Sequence, residues 1–319
     1  MTFGTSERPT HPGVVVVGVP VVDMVAYVQE FPAPGGHGPG TSLAVMPGGP
    51  AANVASGAAR LGCPVSLLGR VGDDHLGTLL RRGLEADGVV VPAELITPGA
   101  ATATVLVLFD EGGAGQMRSF SFRQGTADTR LAAADVGPEH LERAGALFLD
   151  GILALEEPLT LAGERAAELA RGRGVRVFLD PNLRIPGETL PHDLGERMRR
   201  LARVSDELLL NEFEARLLLR HVGGGDAAGV DELGTGIVGS FPNLTRLVIK
   251  RGAAGASVFE AGTALTVEAV QVEVSDTSGA GDSFDAAWLC AHLEGRDTAA
   301  AARFAAGAAA LTVTGKGAW

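Results

Sequence analysis

Short apolar runs alternate with longer stretches of helical periodicity along most of this chain. Val14–Val17 is four valines closed by Gly18, the pattern of a strand buried on both faces. Val65–Leu68, Ala146–Asp150, Val175–Leu179, Glu207–Leu210, Arg246–Lys250 and Ala256–Glu260 read as further strands. Helices fall between them: a small-residue segment through Arg60, then Pro158–Arg171, a segment from Asn211 to His221, and the Ala-rich Ala299–Thr314. Strand then helix, repeated, predicts an α/β fold with a central, mostly parallel sheet between helices. One region breaks the rhythm. Thr102–Phe109 and Arg118–Phe122 alternate around the glycine-rich Glu111–Gln116, which predicts a hairpin. A hairpin inside a βα chain predicts a small β lid, made of segments at about 19–45 and 97–125. No repeat or low-complexity linker divides the sequence, so a single domain over residues 1–319 is expected.

The chain is organised around Asp276-Thr277-Ser278-Gly279-Ala280-Gly281-Asp282-Ser283-Phe284. Val267–Val274 before it, with Glu and Gln at alternating places, reads as a strand. Phe284–Leu293 after it, stopped by Gly295, reads as a helix. The glycines therefore sit at a strand-to-helix turn, where bare backbone N–H groups and the helix dipole make an anion cradle. An aspartate there would repel an anion unless it has chemical work. Beside a phosphate cradle, Asp282 can take a proton from an attacking hydroxyl while the cradle stabilises the transferred group. The plainer alternative is a connection with Asp282 as a helix cap.

Other strand ends carry polar residues too: Asp150, then Asp180, Asn182 and Arg184, then Asn211 and Glu214, then Lys250 and Gly252. In a doubly wound sheet these converge on one carboxyl edge, where ligands bind. Asn211 and Glu214, one helical turn apart, either face one site and hold water around Mg²⁺ or serve as a cap and a surface charge. The turn from Arg251 to Gly255 either lets a nucleotide lie on bare backbone or is a plain hairpin. Arg123 at the end of the hairpin is a solvated cation or a reach from lid to substrate. Asp23, just past the first strand, and Gly48-Gly49 before the helix holding Asn53 complete the candidates.

Composition narrows the function. The chain is 46% hydrophobic and 20% charged with a net charge of −12, which argues against a nucleic-acid footprint but not against a nucleotide held in one local cradle. Cys63 and Cys290 form neither a disulfide framework nor a zinc spacing and are expected to pack separately in apolar surroundings. Met1–Gly13 lacks the apolar core of a signal peptide and no apolar span suits a membrane, so a cytoplasmic protein is expected.

The Asp-Thr-x-Gly-Ala-Gly-Asp-x-Phe string and the Gly48-Gly49-x-x-x-Asn53 element resemble the two signatures of the ribokinase-like (pfkB) carbohydrate kinases, in order, within a resemblance running from Val14 to Ala318. The resemblance implies a ribokinase-like fold and ATP-dependent phosphorylation of a small-molecule sugar. It implies Asp282 as catalytic base, with Gly279, Ala280 and Gly281 as the anion hole. Asp23, Gly48, Gly49 and Asn53 match sugar-binding positions, and Arg123 and Arg184 are expected to reach the sugar. Asn211 and Glu214 match the element that organises Mg²⁺, with Glu214 acting through water. Lys250, Gly252, Gly255 and Thr277 match the ATP site. Asp276 and Ser278, with backbone from Thr312, Gly315 and Gly317, match a monovalent-cation loop. Relatives continue beyond Trp319 with a further ligand, so K⁺ activation is expected to be weak or absent, and Ala306 implies that base stacking comes from elsewhere. The family pattern also leaves room for a homodimer through the lid. Asp180-Pro181-Asn182-x-Arg184 and the Phe-Ser-Phe-Arg123 strand favour a ketose or keto sugar acid, such as fructose or 2-keto-3-deoxygluconate. A nucleoside kinase fits less well with 5% aromatic residues, and a non-catalytic sugar- or nucleotide-binding regulator would have no use for Asp282.

Overall fold

A computed structural model describes residues 12–110, 117–185, 187–315 and 317. The expected turn at 111–116, most of the segment up to Gly13, and Lys316, Ala318 and Trp319 lie outside the described residues. In chain order the strands are β1 (Gly13–Val17), β2 (Val21–Val28), β3 (Gly40–Gly48), β4 (Val65–Leu68), β5 (Val71–Gly72), β6 (Val89–Val90), β7 (Ile96–Thr97) and β8 (Thr104–Asp110). They continue with β9 (Met117–Phe122), β10 (Ala144–Asp150), β11 (Arg176–Asp180), β12 (Glu207–Asn211), β13 (Arg246–Lys250), β14 (Ala256–Glu260) and β15 (Thr263–Val267). The α-helices are α1 (Pro50–Arg60), α2 (His75–Ala86), α3 (Glu157–Arg171), α4 (His192–Val204), α5 (Glu212–His221), α6 (Val230–Ser240), α7 (Ala280–Leu293) and α8 (Thr298–Thr312).

Nine strands form the main sheet in the order β15-β14-β13-β12-β11-β10-β1-β4-β6. From β6 to β13 every pairing is parallel, and only the β13/β14 and β14/β15 pairings at one edge are antiparallel. Period-two alternation builds two cores from the same strands. Val15 and Val17 of β1 join the core with α3, α4, α5 and α6, whereas Val14 and Val16 join the one with α1, α2, α7 and α8. Small residues let the second layer close up. A Cβ added at Gly57 of α1 would stand 2.9 Å from the Ala286 methyl of α7, so those helices touch almost backbone to backbone. Cys63, just beyond α1, is paired with Cys290 of α7 as a disulfide with Cα atoms 6.3 Å apart, which corrects the expectation of two separate packing thiols. The residues stand 227 apart in sequence, and only the packing of α1 on α7 brings them together.

A second sheet of four strands, β3-β2-β8-β9, stands beside the first. The β8/β9 hairpin is the one the sequence pattern predicts; of the two added strands, β2 falls in the first expected lid segment and β3 runs past its end to Gly48. Asp23 therefore lies inside β2, opposite Met46 and Val105, and not in a loop after β1. Among the described residues no helix is long and apolar enough to cross a membrane.

Candidate active site

The turn that starts α7 is made by Gly279, which stands at φ 73° as the helix N-cap. That left-handed backbone favours glycine, and it turns the chain so that the first amides of α7 face a cavity of about 500 Å³. Gly279 O already accepts from Ser283 N at 2.8 Å, and Ala280 N donates to Thr277 O at 3.3 Å. The amides of Gly281 and Asp282, by helix geometry, have no partner within α7. Gly279, Ala280, Gly281, Asp282 and Thr277 all line the cavity.

The segment before this turn is not the expected strand. β15 ends at Val267, and 268–279 has no regular structure. Val270, Val272 and Val274 are exposed and line the cavity together with Ala269 and Gln271, so this stretch is a wall of the cavity and not part of a sheet.

Asp282 is buried, and two amides hold it. Asn53 Nδ2 on α1 donates to Oδ2 at 2.7 Å, and Asn182 Nδ2 donates to Oδ1 at 3.5 Å. Burial raises the pKa of the Asp282 carboxyl, Asn53 and the charges of Lys250 and Arg184 oppose the rise, and Asp180 adds to it. Asn182 reaches this place through a left-handed backbone, φ 44°, with its amide donating to Asp180 Oδ1 at 2.9 Å. Arg184 follows it into the cavity, with Nε 3.4 Å from Asn182 Oδ1. Asp23 faces the same centre from β2. Burial pushes its carboxyl up to about 6, against the pull of Arg184 and a hydrogen bond from Gly49. Gly48 is required here, because a Cβ at that position would collide with the Asp23 carboxylate.

Asn211 and Glu214 do form a cap, but Glu214 is buried and is not a surface charge. Asn211 Oδ1 accepts from Glu214 N and Glu214 Oε2 accepts from Asn211 N, each at 2.9 Å, a reciprocal cap on α5. Glu214 Oε1 also accepts from Leu183 N at 2.9 Å, and both side chains line the cavity. Burial and the nearby Asp180 charge lift the Glu214 carboxyl to about 7 despite Lys250. Gly252 and Gly255, at φ 54° and 85°, build the turn on the far wall; a Cβ at Gly255 would strike the Val267 carbonyl. Asp276 accepts from Ser278 N and Gly317 N, both at 2.9 Å, which ties the stretch after α8 to this carboxylate. Ser278 is exposed and lies outside the cavity lining.

Two of the candidate cations are paired with buried acids. Lys250, at the end of β13, lines the same cavity as Gly252 and Gly255, and its Nζ is buried 2.7 Å from Asp180 Oδ2 and 3.0 Å from Asp285 Oδ1. Arg123 does not line the cavity: it is held at 2.7 Å by the buried Asp128, which Thr126 also bonds, so it fastens the loop after β9. Neither acidic partner is marked in the local sequence pattern. Asp285 was missed altogether. Its signal was available, since an acid in a helical stretch that is apolar all round, between Phe284 and Ala286, Ala287 and Trp288, must be buried and therefore paired. Asp150, fully buried at the end of β10, accepts from Val19 N and Ile152 N, and burial brings it to about 7.

With this geometry in view, similarity to known proteins decides the class. Residues 12–319 match the model of the pfkB family carbohydrate kinases. The chain belongs to that family. It is 29% identical to a Bacillus subtilis ribokinase over 306 residues, covering 95% of this chain and 93% of that one. It is 29% identical to fructokinase-2 of Solanum habrochaites over 280 residues, covering 85% and 82%. The structure of Arabidopsis thaliana ribokinase complexed with ribose and ATP superposes with a TM-score of 0.78 at 26% identity, covering 97% of this chain and 94% of that one. This pfkB protein is thus an ATP-dependent carbohydrate kinase with a ribokinase-like α/β fold.

Proposed function

We propose that this kinase transfers the γ-phosphoryl group of ATP to a primary hydroxyl of a ketose or keto sugar acid, fructose and 2-keto-3-deoxygluconate being the model cases. One observation carries the reading: Arg184 stands beside Asp282, Asn182 and Asp23, a guanidinium among the groups that would face the sugar. A planar cation pairs two-pronged with a carboxylate and donates equally well to hydroxyl and carbonyl oxygens.

In the proposed step, Asp282 takes the proton of the sugar hydroxyl as its oxygen bonds to phosphorus. The bond from phosphorus to the bridging oxygen breaks, and its electron pair leaves on ADP. The free amides of the α7 turn hold the charge on the moving phosphoryl. Asn53 and Asn182 aim the two oxygens of Asp282. Gly252 and Gly255 leave backbone for the nucleotide, and Val270, Val272 and Val274 give it an apolar wall. For Mg²⁺, the donors on this wall are oxygens of Asn211 and Glu214, but both Glu214 oxygens already accept backbone amides. Among the described residues no cluster of acids, His or Cys offers a ready cage. That donor set suits a hydrated Mg²⁺ that arrives with the nucleotide phosphates and whose waters Asn211 and Glu214 orient. Bound there, Mg²⁺ would neutralise phosphate charge.

The test is a comparison of sugars and sugar acids by coupled ADP release, repeated with Arg184→Ala. The variant should raise KM for the best acceptor by about 10-fold or more, as expected for a charge-assisted pair worth roughly 1.5–3 kcal/mol. An unchanged KM would reduce Arg184 to a surface cation. The small sheet motivates a second expectation. Leu43, Val45, Phe120 and Phe122 are exposed on the face that register places opposite to Asp23. A homodimer through this lid face would cover them, and sedimentation should show a dimer that Phe120→Asp converts to monomer.

A further inference from the structure

Among the described residues, Lys250 is the one cavity-lining cation not placed beside the sugar, and its donors can be counted. An ammonium has three N–H groups. One goes to Asp180 Oδ2 at 2.7 Å, and a second is shared by the two Asp285 oxygens at 3.0 and 3.1 Å. The third has no protein acceptor among the described residues. Its direction follows from Gly281. A Cβ built on that glycine would find Nζ 3.5 Å away and no other atom within 4 Å. Only a missing side chain therefore separates the ammonium from the α7 turn, and Lys250 itself lines the cavity. Burial alone would discharge the amine, but Asp180, Asp285 and Glu214 more than offset it and keep it protonated.

A plain counter-ion for Asp180 would need neither the spare donor nor the opening at Gly281. The wider charge pattern points the same way. Among the described residues, Asp180, Glu214 and Asp282 line the cavity against two cations, Arg184 and Lys250, so an entering polyphosphate meets an acidic lining. Arg184 stands on the Asp23 side and Lys250 at the end of β13, next to Gly252. The group that passes between sugar and nucleotide would then have one cation on each side.

We propose that Lys250 is a catalytic residue of the transfer, its third N–H bonding a non-bridging oxygen of the moving phosphoryl while Asp180 and Asp285 act as positioning residues that hold the ammonium. This rests on the kinase reading above. Lys250 donates a hydrogen bond and keeps its three protons; the hydroxyl proton still goes to Asp282 and the electron pair to ADP.

The test removes the cation and one of its acids together, Lys250→Met with Asp285→Asn, so that the interior is not left with two unpaired carboxylates. In a folded double variant, kcat should fall by about 10²–10³-fold, as for loss of one preorganised donor. Affinity for ADP, which lacks the group concerned, should stay near that of the unsubstituted enzyme. A merely structural role would lower stability or weaken both nucleotides alike. A folded double variant with kcat within about 10-fold of the unsubstituted enzyme overturns the proposal. If that variant stays active while Asp282→Asn is dead, only this proposal falls. If Asp282→Asn itself keeps full turnover, the kinase centre and this proposal fall together. Should the double variant not fold, a crystal structure of the unsubstituted enzyme with sugar, ADP and aluminium fluoride decides. Nζ is expected at about 3 Å from a fluoride, and a separation beyond about 4 Å overturns the assignment.

Discussion

Asp282→Asn lowers kcat by about 10²–10⁴-fold or more, because the amide keeps the size and shape of the side chain but cannot accept the hydroxyl proton. Nucleotide affinity should change little if, as proposed, the Gly252–Gly255 turn supplies the backbone on which the nucleotide lies. The unsubstituted enzyme supplies a second readout in its pH profile. Burial raises the Asp282 pKa above the ordinary carboxylate value, so the proton is held more tightly than on an exposed aspartate. The base works only when ionised. Activity must therefore be lost as pH falls, and the loss must begin at a higher pH than an exposed aspartate would give. Asp23, held at about 6, adds to the same limb. A variant that kept near-normal kcat with an unaltered profile would place the base elsewhere.

Glu207→Gln should cost about 3 kcal/mol of stability, the low end of what breaking a buried ion pair by removing one charge costs. Glu207 is wholly buried at the start of β12. Its Oε1 accepts from Arg176 Nη1 and Arg246 Nη1, both at 2.9 Å, and its Oε2 accepts from Trp288 Nε1 at 2.9 Å. Glutamine can offer only one oxygen. Its NH₂ must then point at either an indole N–H or two guanidinium groups, donor against donor. The cost stays at the low end because Arg246 keeps Glu260 at 2.6 Å and the Arg176 side chain is 35% exposed. Chemical denaturation of both proteins measures the difference. Since Trp288 lies on the helix that Asp282 begins, a drop in kcat smaller than the drop in stability would show that the anchor holds the fold more than the site. Equal stability of the two proteins would mean that the cluster contributes nothing net.

The order of strands and helices was legible in the sequence because it depends on local sterics and burial. Four valines at Val14–Val17 can sit only between two apolar layers, and the strand ends at Asp150, Asp180, Asn211 and Lys250 fall on one sheet edge once the connections are βα. The Gly279–Asp282 turn was legible for the same reason, since a glycine at φ 73° before a helix is a backbone requirement written in one residue. Which charges meet was decided by tertiary structure alone. Lys250 finds Asp180 and Asp285 across 70 and 35 residues, and Cys63 finds Cys290 across 227. The alternation of Val270, Val272 and Val274 fits a strand, and only the end of pairing at Val267 shows the stretch to be a cavity wall instead. Arg123 reads as a free cation until the loop after β9 folds Asp128 beneath it. A local pattern fixes how a segment folds and which face is apolar, because those depend on neighbours in the chain. The partner of a buried charge is fixed by sheet order and helix packing, which bring together residues that no local pattern connects.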